Sequence, residues 1–358
     1  MTIRGASTPD APKFDRPRSY DALLVMSFGG PEGANDVIPF LENVTRGRNI
    51  PRERLEEVAY HYHHFGGVSP LNRQNRELIA RLQTELKEHG PDLPVYFGNR
   101  NWHPLVSDTV RAMRDAGVRR ALVFVTAGFS CYSGCRQYRE DVVRAAEAVG
   151  TDAPQFDKIR VFYNHPRFIA ANTENLRQTL EQIPTGRRER GQVVFTAHSI
   201  PETMARHSAY EKQLREASRL VAEATGVKKW DLVFQSRSGP PHIPWLKPDI
   251  LTHLETVAQE GGRDVVIHPI GFVSDHTEVL WDLDHEAKAK AAELGMNLLR
   301  VPTAGTHPEF VKMIRELIVE RTDPNPQRQT VGRFGPNHDI CPMDCCLVGG
   351  KEAGPPSR

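Results

Sequence analysis

The sequence has little of what marks several large classes of protein. Its 46 Lys and Arg residues against 45 Asp and Glu leave a net charge of +1, so no excess of one sign points to nucleic acid or to a charged membrane surface. No apolar run approaches the roughly 18 residues that span a bilayer. The N-terminal segment also lacks the apolar core of a secretory signal. We therefore expect a cytoplasmic protein without a transmembrane segment, preceded by a disordered polar tail over residues 1–18.

Cysteine is also scarce, and its five copies are unevenly distributed. Cys131 and Cys135 lie near the middle of the chain, whereas Cys341, Cys345 and Cys346 lie in a C-terminal extension over residues 323–358. An odd number of cysteines in a cytoplasmic chain does not suggest a disulfide framework. The extension is irregular, rich in Pro and Gly, and too poor in apolar residues to fold alone. Its cysteines therefore suggest a metal that anchors it.

What the sequence does contain is a regular alternation of apolar, β-branched runs with helical patterns. This alternation is typical of parallel sheets with helical crossovers. We predict an α/β fold of two similar doubly wound domains, residues 19–165 and 166–322, each with a parallel four-stranded sheet. Such sheets bind ligands at the carboxyl ends of their strands, so an active-site cleft is expected between the halves. The predicted strands are residues 21–28, 94–98, 121–126, 159–163, 192–197, 231–236, 264–270 and 297–302.

An acidic pattern follows the seventh of these strands, in PIGFVSDHTEVLWDLDHE (269–286). A helix is predicted over residues 277–294, with Asp275 or Thr277 as its N-cap. Glu278, Asp282 and Glu286 then share one face, where like charges repel by a few tenths of a kcal/mol per pair. One interpretation is a solvated acidic face. The one we favour is a carboxylate ladder that binds a hard cation or relays protons.

Other candidate residues follow strands or lie in glycine-containing loops. His198, in FTAHS, ends a strand, where a neutral imidazole accepts a proton near pH 7 or ligates a metal. A lone histidine is more often structural, but its position in the same half as the ladder favours a functional role. Arg46 and Ser69 are candidates for binding a ligand carboxylate. Arg237 is either an anion contact or part of a rigid connector, and HYHH (61–64) is interpreted as the end of a helix rather than a metal site.

Several segments, taken together and in order, resemble signature blocks of the ferrochelatases. The resemblance extends from about residue 20 to residue 317, and several blocks in the right order are more specific than any one alone. The YFGNRNWHP segment (96–104) and the C-terminal cysteines are most similar to the actinobacterial branch of that family. The matching blocks are LLVMSFGGP (23–31), NVTRGR (43–48), HFGGVSPLN (64–72), FTAHSIP (195–201), FQSRSGPPHIPWLKPD (234–249) and PIGFVSDHTEVLWDLDHE (269–286).

The resemblance implies a lyase of heme biosynthesis that inserts Fe²⁺ into a porphyrin. It implies that His198 abstracts pyrrole protons or contacts the metal and that Glu278 accepts protons or delivers metal opposite His198. Asp282 and Glu286 would pass cations or protons towards solvent. The actinobacterial similarity implies coproporphyrin III as substrate and coproheme as product.

The same resemblance implies how the porphyrin is held. Substrate carboxylates are expected near Arg46, Ser69 and Tyr132. Phe28 lies where part of the family has a tyrosine. Because phenylalanine cannot ligate iron, Phe28 is expected only to pack against the macrocycle.

The similarity to the actinobacterial branch also implies a [2Fe-2S] cluster. Such a cluster takes four thiolates, of which the extension supplies Cys341, Cys345 and Cys346. The YSGC context favours Cys135 over Cys131 as the fourth. A zinc ion held by the same four thiolates is the alternative, although the adjacent pair at 345–346 fits a binuclear centre better.

Other functions stay open at this point. The substrate could be protoporphyrin IX, the enzyme could be a cobalt or nickel tetrapyrrole chelatase, or the protein could carry porphyrin or heme without chemistry. Cobalt and nickel chelatases usually have a second histidine where this sequence has Glu278. No G-x-S-x-G motif supports a hydrolase. We further expect a monomer that hands its product to a downstream enzyme of the heme pathway.

Overall fold

Two parallel four-stranded sheets organise the chain. The computed structural model describes residues 12–188 and 191–348. The strand order is β2-β1-β3-β4 in the first sheet and β6-β5-β7-β8 in the second, and all neighbours are parallel. The two orders are equivalent, which confirms the predicted α/β architecture of two similar halves.

The elements of the first half are β1 (Ala22–Ser27), α1 (Val37–Val44), α2 (Arg52–His64), α3 (Leu71–His89), β2 (Val95–Asn99), α4 (Val106–Asp115), β3 (Arg120–Val125), α5 (Gln137–Val149) and β4 (Gln155–Lys158). Those of the second half are α6 (Pro166–Leu180), α7 (Thr185–Arg188), β5 (Gln192–His198), α8 (Glu202–Arg206), α9 (Tyr210–Thr225), β6 (Trp230–Gln235), α10 (Ile250–Gln259), β7 (Asp264–His268), α11 (Thr277–Val279), α12 (Lys288–Glu293), β8 (Asn297–Arg300) and α13 (Pro308–Thr322). Two π-helical segments, Tyr132–Arg136 and Leu280–Ala287, precede α5 and α12.

The burial of the central strands explains why their sequences are uninterrupted apolar runs. Every residue of β1 is buried, and so is every residue of β5 except His198. In register, Leu24 of β1 pairs with Tyr96 on one side and Val123 on the other. Helices cover both faces of such a sheet, so both faces select apolar side chains.

One predicted strand was wrong in position. The fourth strand is Gln155–Lys158, not residues 159–163. It lies at the edge of the sheet and is only partly buried, so it lacks the run of apolar residues from which strands were predicted. Ile159, Val161 and Phe162 are buried outside any strand, because they pack in the core beneath α13. Burial produced the apolar pattern there without strand pairing.

Helix α13 joins the two halves. It packs against α6 of its own half and α3 of the first half. Phe310 of α13 lies 6.2 Å from the ring of Phe124 in β3 and 6.3 Å from that of Phe168 in α6, measured between ring centroids. The largest hydrophobic cluster accordingly contains residues of both sheets.

The described parts of the two terminal segments lie against the folded body. The backbone N–H of Arg18 donates to Arg321, and those of Asp339 and Ile340 donate to Lys13. Lys13 and Arg18, in the segment predicted to be a disordered tail, are thus hydrogen-bonded to the C-terminal part of the chain, and residues 1–11 lie outside the described residues. Residues 323–348 form no helix or strand, as predicted for the extension. No helix in the described ranges is long and apolar enough to cross a membrane.

Candidate active site

His198 is the last residue of β5, so its side chain lies at the carboxyl edge of the second sheet. Its Nδ1 contacts the carbonyl oxygen of Ser199. A carbonyl only accepts, so this contact assigns the ring proton to Nδ1 and leaves the lone pair on Nε2. Nε2 lies 3.6 Å from Oε2 of Glu278, and the two side chains are 34% and 50% exposed. The two predicted catalytic side chains are thus neighbours open to solvent.

Glu278 lies on α11, which runs directly into the π-helical segment Leu280–Ala287. The predicted helix over 277–294 is confirmed in extent, but its interior is π rather than α. Its predicted N-cap was wrong: the cap is His276, without a side-chain capping bond. Asp275 is instead paired with Arg300 at 3.0 Å, and Thr277 is the first, buried residue of the helix.

Asp282 is the next carboxylate of the ladder, and it lies deeper than Glu278. Burial raises its pKa to about 7, and the negative charge of Glu278 acts in the same direction. Two donors from the end of β6 oppose this shift: the Ser236 hydroxyl and Gln235 Nε2, the latter at 3.2 Å. A carboxyl group with a pKa near 7 exchanges protons readily at neutral pH, as a relay requires.

The outer end of the ladder meets the first half of the chain. Glu286 lies close enough to His61 of α2 for its charge to favour the protonated imidazole, although burial dominates and lowers the pKa of His61. The ring of His61 stacks on Trp281 at 3.9 Å, and His64 lies 4.5 Å from His285. The HYHH segment does end a helix, as predicted, and it joins α2 to the π-helical segment.

The four predicted substrate contacts lie in the first half. Phe28 follows β1 and is 37% exposed, with the ring of Phe40 at 6.2 Å. Arg46 is exposed, and its guanidinium donates to Asn43. Tyr132 donates to Glu140 at 3.1 Å. Ser69 is buried, so the substrate contact predicted for it stays a prediction.

Several residues around the site were missed from sequence. Ser236 bonds Asp282 from a backbone with φ of +60°, which an L-residue rarely adopts. His276 lies beside the pair, and burial lowers its pKa. The FQSRSG and HTEVLWD blocks contain both residues, but nothing in the spacing assigned them a role.

Arg237 donates to three carbonyls of its own loop, which favours the rigid-connector interpretation.

Four cysteines meet away from this site. Hydrogen bonds from Cys341 and Cys346 hold the pKa of Cys135 well below its usual range, and the charge of Lys158 acts in the same direction. The sulfurs of Cys345 and Cys346 are 3.4 Å apart. Cys131 is not part of the group, since its sulfur contacts Gly134 and Ser133.

The four cysteines line one small cavity together with Lys158, Arg136 and Arg139. They contact one another through hydrogen bonds. Within residues 12–188 and 191–348, no group of three or more His, Cys, Asp or Glu side chains is arranged to hold a metal ion.

The fold defines a class of protein. The architecture is similar to SirB from Bacillus subtilis, solved with Fe³⁺, with a TM-score of 0.52, 13% identity, and coverage of 86% of this chain and 100% of that one. The sirohydrochlorin chelatase SirB from the subspecies spizizenii, solved with cobalt, gives a TM-score of 0.50 at 10% identity, covering 85% of this chain and 96% of that one. At such low identity the likeness shows a chelatase-type fold alone.

Sequence similarity is more specific. The ferrochelatase family model matches residues 20–322. A ferrochelatase from Rhodopirellula baltica is 55% identical over 329 residues, 92% of this chain and 93% of its own. Coproporphyrin III ferrochelatases from Nocardia farcinica and Mycolicibacterium smegmatis are 54% and 50% identical, covering 92% and 88% of this chain and 97% and 93% of theirs. The chain belongs to the ferrochelatase family, and is thus an enzyme of the lyase class.

Proposed function

We propose that this ferrochelatase inserts Fe²⁺ into coproporphyrin III to give coproheme, with His198 and Glu278 as its catalytic residues. The observation that carries the proposal is the 3.6 Å separation of His198 Nε2 and Glu278 Oε2 at the carboxyl edge of the second sheet. The names of relatives near 50% identity support the choice of porphyrin.

The chemistry of the pair follows from its proton positions. Two pyrrole N–H protons must leave the macrocycle as iron enters. Nε2 of His198 bears the lone pair, because Nδ1 donates to the carbonyl of Ser199. When Nε2 accepts a proton, the resulting imidazolium lies beside the Glu278 carboxylate, which stabilises its charge. Proton acceptance at His198 is thereby coupled to the charge of Glu278.

The carboxylates of the ladder supply a route along which protons or cations leave the His198–Glu278 pair. Asp282, with its pKa near 7, passes a proton or cation from Glu278 towards Glu286 at the α2 contact. Ser236 holds the Asp282 carboxylate from a left-handed backbone, and such strain is concentrated at functional sites.

The first half supplies the substrate contacts in this proposal. Phe28 offers an exposed aromatic face at the end of β1 for packing against the macrocycle. Arg46 forms no ion pair with any carboxylate in the described ranges, so its charge is free for a substrate carboxylate. Tyr132 and Ser69 complete the proposed set.

We also infer that Cys135, Cys341, Cys345 and Cys346 hold a [2Fe-2S] cluster. The proposal rests on donor chemistry and not on the present spacing of the sulfurs, which is not that of a metal site. Four cysteines line one cavity, thiolates are the ligands of such clusters, and Lys158 favours the thiolate form at Cys135. When bound, such a cluster would supply one-electron redox chemistry, and its ligands would come from both the extension and the first half. Cys131 is bonded within its own turn, so it is not a ligand in this proposal.

An anaerobic assay tests the proposed reaction. Fe²⁺ is supplied with coproporphyrin III or protoporphyrin IX, and metalation is followed by absorbance, with Co²⁺ and Ni²⁺ in parallel. We expect metalation with Fe²⁺ and a preference for coproporphyrin III. His198→Ala should abolish turnover and leave porphyrin binding within about tenfold, and Glu278→Gln should lose about two orders of magnitude.

The exposed histidine variant His207→Ala is the matched control and should retain wild-type turnover. Near-wild-type turnover in His198→Ala would remove this residue from the mechanism. A protein that binds porphyrin but metalates neither substrate would instead be a carrier, and faster metalation with Co²⁺ or Ni²⁺ would change the assigned metal.

A further inference from the structure

A tyrosine hydroxyl bonds the backbone of the proposed catalytic histidine. Tyr210, the first residue of α9, is buried, and its hydroxyl donates to the carbonyl oxygen of His198 at 3.0 Å. Its ring also packs edge-on against Phe129, at 6.4 Å between centroids. Burial raises the pKa of Tyr210 well above its usual value, so the group stays a donor. The last residue of β5 is therefore held from two sides, at its carbonyl and at Nδ1.

The same face of α9 carries two more buried polar residues, each one helical turn further on. Gln213 donates to the Ser130 hydroxyl at 3.0 Å and accepts from the Ser130 N–H at 2.7 Å. Glu216 accepts from the backbone N–H of Arg333 at 2.7 Å. Positions 210, 213 and 216 share one helix face, since residues three apart are neighbours on an α-helix. A buried face of this kind ordinarily carries apolar side chains.

The partners of this face come from three regions of the chain. Ser130 belongs to the first half, in the turn that precedes the cysteine-bearing π-helical segment. It also accepts from Asn337 of the extension at 3.2 Å. Arg333 belongs to the extension as well, so one face of α9 contacts His198 at its first residue and the extension further along the helix.

We propose that the Tyr210–Gln213–Glu216 face of α9 positions His198, and that the C-terminal extension sets the position of α9. Tyr210 and Gln213 are positioning residues, because both are buried and their side chains bond protein groups, the His198 carbonyl and Ser130. The inference rests on the proposed function, in which Nε2 of His198 accepts protons. A displacement of about 1 Å at such a group can reduce turnover as much as a hundredfold.

The first test removes one hydrogen bond. Tyr210→Phe keeps the ring and should lower kcat about tenfold while KM for coproporphyrin III stays unchanged. Tyr163→Phe is the matched control, because Tyr163 is equally buried, packs on Phe129 at 6.4 Å, and forms no side-chain hydrogen bond in the described part of the chain. That control should stay within twofold of wild type. Incorporating 4-aminophenylalanine at position 210 restores an N–H donor and should recover most of the lost kcat.

A second readout does not depend on turnover. The ring resonances of His198, assigned by their loss in His198→Ala, should shift in Tyr210→Phe and stay in place in Tyr163→Phe. Unchanged His198 resonances together with a kcat within twofold of wild type would overturn the inference. Absence of metalation in the wild-type protein would instead contradict the proposed function.

A separate variant, at a position outside the hydrophobic core, tests the role of the extension. Asn337→Ala removes only the extension's bond to Ser130 and should lower kcat about threefold while shifting the same His198 resonances. If Asn337 acts through α9, the Tyr210→Phe/Asn337→Ala double variant should be no slower than Tyr210→Phe alone. Multiplicative losses, or an Asn337→Ala protein identical to wild type in both readouts, would overturn the role of the extension.

Discussion

Among single residues, Asp282 has the environment that most clearly departs from that of an ordinary carboxylate. It is mostly buried, accepts from Ser236 and Gln235, and has the charge of Glu278 beside it. Burial outweighs the two hydrogen bonds and raises its pKa to about 7, against about 3.9 in an unfolded chain. The folded protein therefore binds this proton more tightly than the unfolded chain does.

This shift predicts how stability depends on pH in the protein without iron or porphyrin. The contribution of Asp282 to the free energy of unfolding is fully present below about pH 4 and is lost as pH rises towards 7, because the unfolded chain releases the proton first. Asp282→Asn cannot ionise and escapes that loss. As pH rises from 5 to 8, the free energy of unfolding of the variant should therefore increase by about 2–3 kcal/mol relative to that of wild type, measured by urea unfolding. If the free energy of unfolding varied with pH in the same way in wild type and Asp282→Asn, the raised pKa of Asp282 would be contradicted.

The proposed catalytic residues were predicted from the sequence, whereas most of the residues that hydrogen-bond to them were not. His198 stood out because it lies at the end of a strand, and Glu278 because it shares a predicted helix face with Asp282 and Glu286; both lie in recognisable blocks. Ser236 did not, because its role depends on a left-handed backbone angle that spacing does not encode. Tyr210 lies 12 positions beyond the residue it holds, and a tyrosine that begins a helix gives no signal of its own.

At the scale of elements, both π-helical segments carry proposed functional residues. Tyr132–Arg136 contains Tyr132 and Cys135, and Leu280–Ala287 contains Asp282 and Glu286. Such segments occur frequently at functional sites. The sequence predicted a helix over residues 277–294 but not its type, because α and π spacing are hard to distinguish over eight residues, and it predicted no helix over residues 132–135. The edge strand β4 was misplaced for a related reason: burial alone made residues 159–163 resemble a strand.

The turn that begins α5 separates the roles of its two cysteines. Cys135→Ser should bleach a red-brown protein and remove its bound iron and sulfide, because Cys135 contacts Cys341 and Cys346. Cys131→Ser is the matched control and should keep the colour, since that sulfur accepts from Gly134 N–H at 3.1 Å within its own turn. Anaerobic purification, a visible spectrum and iron and sulfide analysis provide the measurement.

Other results of the same analysis would contradict parts of this scheme. A colourless wild-type protein with one zinc would contradict the cluster and leave the proposed reaction intact. Bleaching by Cys131→Ser alone would exchange the roles of the two cysteines.

At the scale of the whole molecule, the alternation of strands and helices was enough to predict two parallel four-stranded sheets. Joining them required contacts that periodicity cannot reveal. Helix α13 packs on both halves, and the extension returns to Asn164, which donates to the carbonyl of Phe334 at 2.8 Å. The Asn164–Phe334 bond joins residues 170 positions apart, and only the folded chain shows such a contact.

One buried ion pair lies where these parts meet. Arg160 follows β4, and its guanidinium donates to both carboxylate oxygens of Glu320 in α13 at 2.8 Å and to the carbonyl of Gln329 in the extension at 2.9 Å. The two side chains are 1% and 4% exposed. Such a pair gains little over an apolar contact, because both charges lose their hydration, but removing one partner leaves the other buried and unpaired.

Glu320→Gln should therefore lower the free energy of unfolding by about 3–5 kcal/mol. Arg160→Met combined with Glu320→Leu should recover most of that loss, because neither charge then stays buried. Arg52→Ala breaks ion pairs with Glu42 and Glu56, and all three side chains are more than half exposed, so it should change stability by less than about 1 kcal/mol. Urea unfolding followed by circular dichroism measures all three. If the double variant were as unstable as Glu320→Gln, an unpaired buried charge would not explain the loss, because the double variant contains neither charge.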